Sequence, residues 1–187
     1  MKHLKIAVLA LLFIMSYSTA MAQDEENNTQ YREQPWMLTF STNYISIIDG
    51  ESENYIPWLS KLNIGKSIGK GFSLELAGSI NDITRPWGTG DDVTFVGLDL
   101  NFKFDLNNAF GETGWFDPFL YAGVGQNWVG TTDGFGLNVG GGFNSWLNDD
   151  IAINLTTGYK KVNTPTDFGI CQHSLGLSCR FGKNDSD

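Results

Sequence analysis

Apolar and polar residues alternate along most of this chain. In the segment HSLGLSCRF at residues 173–181, every second side chain is large or apolar, and the side chains between them are small or polar. Successive side chains of a β-strand point to opposite faces of the sheet. A period of two therefore predicts strands that carry one apolar face and one face of small, polar or isolated charged residues.

The alternation recurs in eight segments, separated by stretches rich in Gly, Asn and Asp. Short turns at 69–71 and 148–150 alternate with longer connections, which predicts consecutive antiparallel hairpins. No segment shows the period of an α-helix, so we expect no helix. The predicted strands comprise residues 36–48, 56–68, 72–80, 93–106, 116–128, 135–146, 151–161 and 168–181.

The residue composition of the polar face distinguishes between two possible architectures. A soluble exported β-barrel or sandwich exposes this face to water, which favours many Lys and Glu side chains, whereas a membrane barrel turns it toward the lumen. The polar faces here are mostly Ser, Gly, Asn, Ala and Thr. The strands also match the ~9–11 residues needed to cross a bilayer. The pattern therefore favours an all-β fold, an eight-stranded antiparallel up-and-down transmembrane β-barrel, with the soluble fold as the alternative.

Aromatic residues near the ends of the predicted strands agree with the membrane interpretation, because membrane barrels carry aromatic girdles at both interfaces. The fifth strand has aromatic residues on both faces, so its orientation stays open. The aromatic residues near strand ends are Trp36, Tyr44, Trp58, Phe72, Phe104, Trp128, Trp146 and Phe168.

Six charged residues fall on the predicted lumen faces. Eight strands enclose a lumen that side chains just fill, and charges cut off from water must be paired. We therefore expect a polar, hydrogen-bonded lumen without an open pore, Asp117 as a further acid, and an acidic partner such as Glu75 or Asp99 for Arg180. The alternative is that some of these charges lie at the rim and are solvated. The predicted interior charge network is Lys61, Glu75, Asp99, Lys103, Lys160 and Arg180.

The N-terminal segment has the order of a secretory signal peptide. Lys2 and Lys5 precede an apolar run at 6–15, and the small-residue pattern at 20–22 offers a cleavage site before Gln23. The apolar run is shorter than the roughly 20 residues of a membrane-spanning helix. The predicted organisation is a signal peptide at 1–22, a flexible polar segment at 23–34, the barrel at 35–182 and a short tail at 183–187.

The charge of the chain excludes one class of partner. The net charge is −9, and removal of Lys2 and Lys5 with the signal peptide leaves 10 basic and 21 acidic residues, a net charge of −11. Nucleic-acid binding rests on cationic contacts to phosphate, so we expect no nucleic-acid partner.

The cysteines and the histidine offer little chemistry. Cys171 and Cys179 lie eight residues apart on one predicted strand, roughly 26 Å. A disulfide requires Cα atoms within about 7 Å, so we expect no bridge between them. His173 is the only histidine after the signal peptide, and Ser174 points to the opposite face. We therefore expect no catalytic residues, no metal site and no cofactor. Acidic loops such as 90–92 leave weak Ca²⁺ binding as an alternative to solvated charge.

The chain resembles the OmpA-like outer-membrane β-barrel domain family over residues 36–182. The resemblance rests on the eight strands, FDPFLYAGVG at 116–125, LNVGGGFNSWL at 137–147 and the terminal HSLGLSCRFG. It implies a C-terminal assembly signal read by the outer-membrane barrel assembly machinery. The chain ends at Asp187 without the peptidoglycan-binding domain of many members, so their cell-wall tethering is not expected. The residues of the implied signal are Ser174, Gly176, Cys179 and Phe181.

Together these features predict an integral protein of a Gram-negative outer membrane with periplasmic termini. We expect it to be non-enzymatic, with a structural or interaction role and lipid as its immediate partner. No feature of the sequence indicates a small-molecule substrate. A narrow porin-like channel and, less favoured, a lipid-modifying barrel enzyme using His173 are the alternative functions.

Overall fold

The computed structural model describes residues 36–48, 53–84, 92–111, 114–164 and 167–182. The predicted signal peptide, the flexible segment at 23–34 and the tail at 183–187 lie outside the described residues. Most of the acidic loop at 90–92 lies outside them as well.

Eight antiparallel strands close into a barrel in sequence order, which confirms the predicted fold class. Strand β8 pairs with β1 from Trp36 opposite Phe181 to Ile48 opposite Gly169, so the sheet has no free edge. The longer observed strands extend several of the predicted ones by a few residues. The strands are β1 (Trp36–Ile48), β2 (Glu53–Gly69), β3 (Phe72–Thr84), β4 (Asp92–Asp105), β5 (Phe116–Val129), β6 (Thr132–Trp146), β7 (Ile151–Asn163) and β8 (Phe168–Phe181).

The two ends of the barrel differ in their connections. We call the end with Trp36 and Phe181 the near end, and the opposite end the far end. At the near end, Lys70 and Gly71 form a tight turn in which both residues have left-handed backbone angles, with φ of 53° and 75°. The other near-end connections follow β4 and β6.

The connection after β4 contains one helical turn, α1 (Asn107–Phe110). Our expectation of no helix is therefore wrong at this point. Four residues are too few to display a helical period, and the turn is fixed locally, because Asp105 Oδ1 accepts the Asn107 N–H at 2.9 Å. Within the described residues, no helix is both long enough and apolar enough to cross a membrane.

The apolar face of the sheet points outward. Large aliphatic side chains on the outer wall are 39–56% exposed, although burial of such side chains stabilises a protein in water. Strand β5 has the same polarity, with Leu120 and Val124 outside and Gly123 and Gly125 on the lumen face, which settles its orientation. The outward aliphatic side chains of the other strands include Leu62, Ile64, Leu76, Leu98, Leu100, Leu137, Val139, Ile153, Leu175 and Leu177.

Glycines on the lumen face make room for the one large side chain in the middle of β5. Tyr121 lies opposite Gly140 in the β5–β6 register, and Gly140 lies opposite Gly158 in the β6–β7 register. A Cβ atom on Gly158 would collide with the Tyr121 hydroxyl, and one on Gly140 would lie 2.6 Å from it. The Tyr121 side chain of β5 therefore occupies space that glycines on β6 and β7 leave free.

We expect Gly158→Ala to destabilise the barrel by about 1–3 kcal/mol, because the added methyl group has no space beside Tyr121. Urea unfolding of the refolded protein measures this cost. Tyr121→Phe in the same chain should recover part of it by removing the clashing hydroxyl. The outward Gly78 has no atom within 4 Å of its Cβ position, so Gly78→Ala serves as the control. Equal costs for the two alanine substitutions would contradict the steric explanation.

Candidate functional site

The lumen brings together the residues predicted to form the interior charge network. Five of them are 2–6% exposed. Arg180 is partly buried, with its side chain 16% exposed at the near end. The buried five are Lys61, Glu75, Asp99, Lys103 and Lys160.

Asp117 organises the near end of the lumen. Arg180 Nη2 donates to Asp117 Oδ2 at 2.8 Å, and Trp146 Nε1 donates to the same oxygen at 2.6 Å. Asn107 Nδ2 donates to Asp117 Oδ1 at 2.7 Å, so α1 is tied to the barrel. The Arg180 guanidinium also lies 3.3 Å from the centre of the Trp146 ring, a cation–π contact.

An acidic partner for Arg180 is therefore confirmed, but it is Asp117 and neither of the two acids named as examples. Asp117 is the second residue of β5 and lies at the near end, as Arg180 does at the end of β8. The two acids that we expected, Glu75 and Asp99, lie deeper and pair with lysines. Alternation predicts on which side of the sheet a residue lies, but not its position along the barrel axis.

A second group of polar side chains surrounds Glu75. Lys103 Nζ lies 3.0 Å from Glu75 Oε2, and Asn101 Nδ2 donates to Oε1 at 3.3 Å. Asn138 Nδ2 donates to Asn101 Oδ1 at 2.9 Å, which extends the chain of hydrogen bonds to β6. The Lys103 ammonium lies 3.8 Å from the centre of the Phe119 ring. Both carboxylate oxygens of Glu75 are thus occupied.

A third group surrounds Asp99, closer to the far end. Lys160 Nζ donates to Asp99 Oδ1 at 2.8 Å and to Oδ2 at 2.6 Å. It also donates to Asn127 Oδ1 at 3.1 Å. Lys160 is 2% exposed. Burial at this depth is tolerated because the ammonium is both paired and hydrogen-bonded.

The far end of the lumen is apolar, so the expectation of a polar lumen is wrong there. Phe95 belongs to this far-end cluster, and the Lys160 ammonium lies 5.6 Å from the centre of its ring. Alternation did place small and polar residues inward for most of each strand, but these strands carry apolar residues on both faces near the far end. The far-end cluster consists of Ile45, Ile47, Ile83, Phe95, Val129, Val162, Phe168 and Ile170.

Two of the aromatic residues assigned to the girdles point inward. Phe168 is 8% exposed within the far-end cluster, and Trp146 holds Asp117 in the lumen. Trp36 remains outside and stacks with Phe181 across the β1–β8 seam, with ring centres 6.5 Å apart. Both Phe168 and Trp146 lie near strand ends, as predicted, but their side chains point into the lumen and not toward a membrane interface.

The residues of the predicted assembly signal lie on both faces of β8, and the histidine lies on the outer wall. Ser174 is buried in the lumen, whereas Phe181 is 43% exposed on the outer wall. His173 also lies outside, where its Nδ1 is 2.8 Å from Thr157 Oγ1. Of the two remaining signal residues, Gly176 lies on the lumen face and Cys179 on the outer face.

The Thr157–His173 contact has the spacing of a nucleophile and a base. Two other hydroxyls of β1, those of Ser41 and Ser46, are not opposite His173, whose β1 partner is Tyr44. Among the described residues, no group of three His, Cys, Asp or Glu side chains could hold a metal ion. Cys171 and Cys179 are both free thiols.

The amide side chains Asn101, Asn127 and Asn138 were not singled out by the sequence. They lie on polar faces in the alternation, so their inward direction was available. Their pairing across strands depends on the register between β4, β5 and β6, which alternation does not provide.

Comparison with known proteins identifies the fold. The sequence matches no protein-family model and no curated protein sequence. Among solved structures, Neisserial surface protein A has a TM-score of 0.59 at 13% identity and covers 78% of this chain and 96% of its own. The outer membrane protein OprG from Pseudomonas aeruginosa has a TM-score of 0.52 at 12% identity and covers 82% and 99%.

The outer membrane enzyme PagL has a TM-score of 0.50 at 13% identity, covering 76% of this chain and 99% of its own. At these identities the likeness is one of fold. The chain has the closed eight-stranded fold found in outer-membrane barrel proteins. That fold carries both enzymes and proteins of other kinds, so it does not select a function.

The pair Lys160 and Asp99 offers a test of the lumen network. We expect Lys160→Met to lower the free energy of unfolding by about 3–5 kcal/mol, because it leaves the Asp99 carboxylate buried without its counter-charge. Denaturant unfolding of the refolded protein measures this, and adding Asp99→Asn should recover part of the loss.

The neighbouring Lys161 provides the matched control. It points outward, 52% exposed, 3.5 Å from Asp167. Lys161→Met should change the free energy of unfolding by less than about 1 kcal/mol. A similar cost for both lysine substitutions would contradict a buried charge network.

Proposed function

We propose that this chain is an integral outer-membrane β-barrel protein of a Gram-negative bacterium, a member of the OmpA-like barrel family, with a structural or interaction role. The outward apolar wall is the observation that carries this proposal. Its aliphatic side chains ring the whole barrel, from Leu62 on β2 to Leu177 on β8. A closed barrel whose exterior is apolar suits lipid, because every strand's backbone groups are paired within the sheet.

The proposal includes an orientation. The chain enters β1 and leaves β8 at the near end, which we assign to the periplasm, after export directed by residues 1–22. The barrel assembly machinery and membrane lipid are its proposed partners. The outward Phe181, stacked on Trp36 at this end, supports a role for the C-terminal strand in assembly.

A closed lumen favours a structural role over a channel. Asp117 and Arg180 cross the near end, the two lysine–carboxylate pairs occupy the middle, and the far-end cluster lies beyond them. A solute path would require these groups to separate, at the cost of buried unpaired charges. We therefore propose a plugged barrel without a solute pathway.

We also propose that the protein is not an enzyme. The Thr157–His173 contact is the arrangement most like a catalytic pair in the described part of the chain. The neighbour of His173 on β1 is Tyr44, at 5.9 Å between ring centres, rather than a carboxylate that would orient the imidazole. Backbone N–H groups of these strands are committed to the sheet, which leaves no built oxyanion site.

Substitution on the outer wall tests the contact with lipid. Leu100 lies in the middle of β4 and is 51% exposed. In phospholipid vesicles, Leu100→Arg should lower the free energy of unfolding by about 2–4 kcal/mol, because a charge at the bilayer midplane is poorly solvated. Thr94→Arg, outward on the same strand nearer the far end, should cost about 0–1 kcal/mol.

Equal effects of the two arginines would contradict a membrane-embedded wall, since a barrel surrounded by water treats both positions alike. In cells, the unaltered chain should separate with the outer-membrane fraction. Recovery of the folded barrel in the soluble periplasmic fraction would overturn the proposal.

Conductance in planar lipid bilayers tests the plugged lumen. We expect no reproducible open state from the unaltered protein, because charged pairs and the far-end cluster fill the lumen. Insertion is verified separately by the resistance of the barrel to protease. A reproducible open state of roughly several hundred picosiemens would refute the plugged barrel and favour a porin-like channel.

A further inference from the structure

Lys61 is a buried cation without a counter-charge of its own. It is 6% exposed on the lumen face of β2. The described residues provide no carboxylate within ion-pair distance of its ammonium group; their lumen ion pairs join Lys103, Lys160 and Arg180 to other acids. A buried ammonium in this state costs several kcal/mol unless another group compensates for it.

The two carboxylates in the middle of the lumen each pair with another lysine. Glu75 bonds Lys103 through one oxygen and Asn101 through the other. Asp99 receives both of its hydrogen bonds from Lys160. The middle of the lumen therefore holds three ammonium groups and two carboxylates, an excess of one positive charge at Lys61.

Some buried hydroxyls near Lys61 in the sheet have no hydrogen-bond partner. Lys61 lies opposite Ser41 on β1 and opposite Ser79 on β3. The buried hydroxyls of Ser79 and of the adjacent Ser60 have no hydrogen-bond partner, and the same holds for Asn63 Oδ1, the next inward residue of β2. The hydroxyl of Ser79, on the strand next to Lys61, thus remains available as a donor.

The free donors extend toward the second buried lysine. Ser79 Oγ, Asn127 Oδ1 and Lys160 Nζ border a single point beside Gly97, at 2.9, 3.2 and 3.3 Å from the position of a Cβ atom there. Asn127 Nδ2 is buried and has no partner. Ser79 Oγ therefore lies near the Lys160 ammonium, on the residue that pairs with Lys61 across β2 and β3.

We propose that this region, the Lys61 site, binds a small inorganic anion of halide size. Lys61 supplies the charge, and the hydroxyl of Ser79 supplies a hydrogen bond. Water alone would satisfy the hydroxyls but would leave the excess charge uncompensated. The inference extends beyond the proposed membrane role and does not depend on it.

The surroundings of the site select for size. Side chains just fill the lumen of an eight-stranded barrel, the far-end cluster closes one side, and Arg180 with Asp117 crosses the other. We therefore expect this lumen to admit a halide but not an organic acid such as gluconate.

Halide-dependent unfolding of the full chain in detergent micelles tests the proposal. Chloride or bromide is varied against gluconate at constant ionic strength, which holds general screening fixed. A halide at ten times its dissociation constant should raise the folding equilibrium constant about elevenfold. Lys61→Met should abolish this dependence, whereas Lys161→Met, on the outer wall, should keep it.

A halide dependence that is the same in the unaltered chain and in Lys61→Met, or absent from the unaltered chain, would overturn the proposal. If Lys61→Met does not fold, anomalous scattering from crystals of the unaltered chain grown in bromide decides the matter. A bromide peak beside Lys61 in the lumen supports the site. A lumen with no bromide peak there refutes it.

Discussion

Closure of an eight-stranded sheet on itself is the constraint on which the rest of this structure depends. Pairing of β8 with β1 removes both edges, so every strand has a neighbour on each side. Because side-chain direction alternates along each strand, closure sorts residues into an outer wall and a lumen. The outer wall is continuous and apolar, while the lumen must accommodate every inward side chain in a fixed, narrow space.

Because the lumen is narrow, its side chains form successive layers that differ in charge and polarity. Arg180 and Asp117 lie at the near end, the two lysine–carboxylate pairs lie deeper, and apolar side chains occupy the far end. Each layer is built from strands distant in sequence, since Lys160 and Asp99 are 61 residues apart. Glycines such as Gly158 are part of the same arrangement, because they leave the space that Tyr121 fills.

The outer wall and the lumen therefore have different roles. The wall determines the environment in which the barrel is stable, and the lumen determines whether anything passes through it. Paired charges and the far-end cluster occupy the lumen along its length. Lys61 differs from the other charged residues of the lumen, because no carboxylate among the described residues lies within ion-pair distance of its ammonium group.

Much of the fold could be predicted from the sequence because alternation is a local property. The bounds of β1 and β8 agreed with the predicted strands, and the inward direction of Lys61 and Lys160 followed from their place in the pattern. Strand β5 could not be oriented in this way, since Tyr121 and Leu120 are both large. Its orientation became clear only with β6 paired beside it.

The sequence by itself determined the strands, their order and the face of most side chains, because each of these depends on neighbours along the chain. Only the tertiary structure decided which lumen residues meet. Arg180 and Trp146 both bond Asp117, because the stagger between strands sets the height of each residue. That stagger arises from closure of the whole sheet, and no single segment contains it.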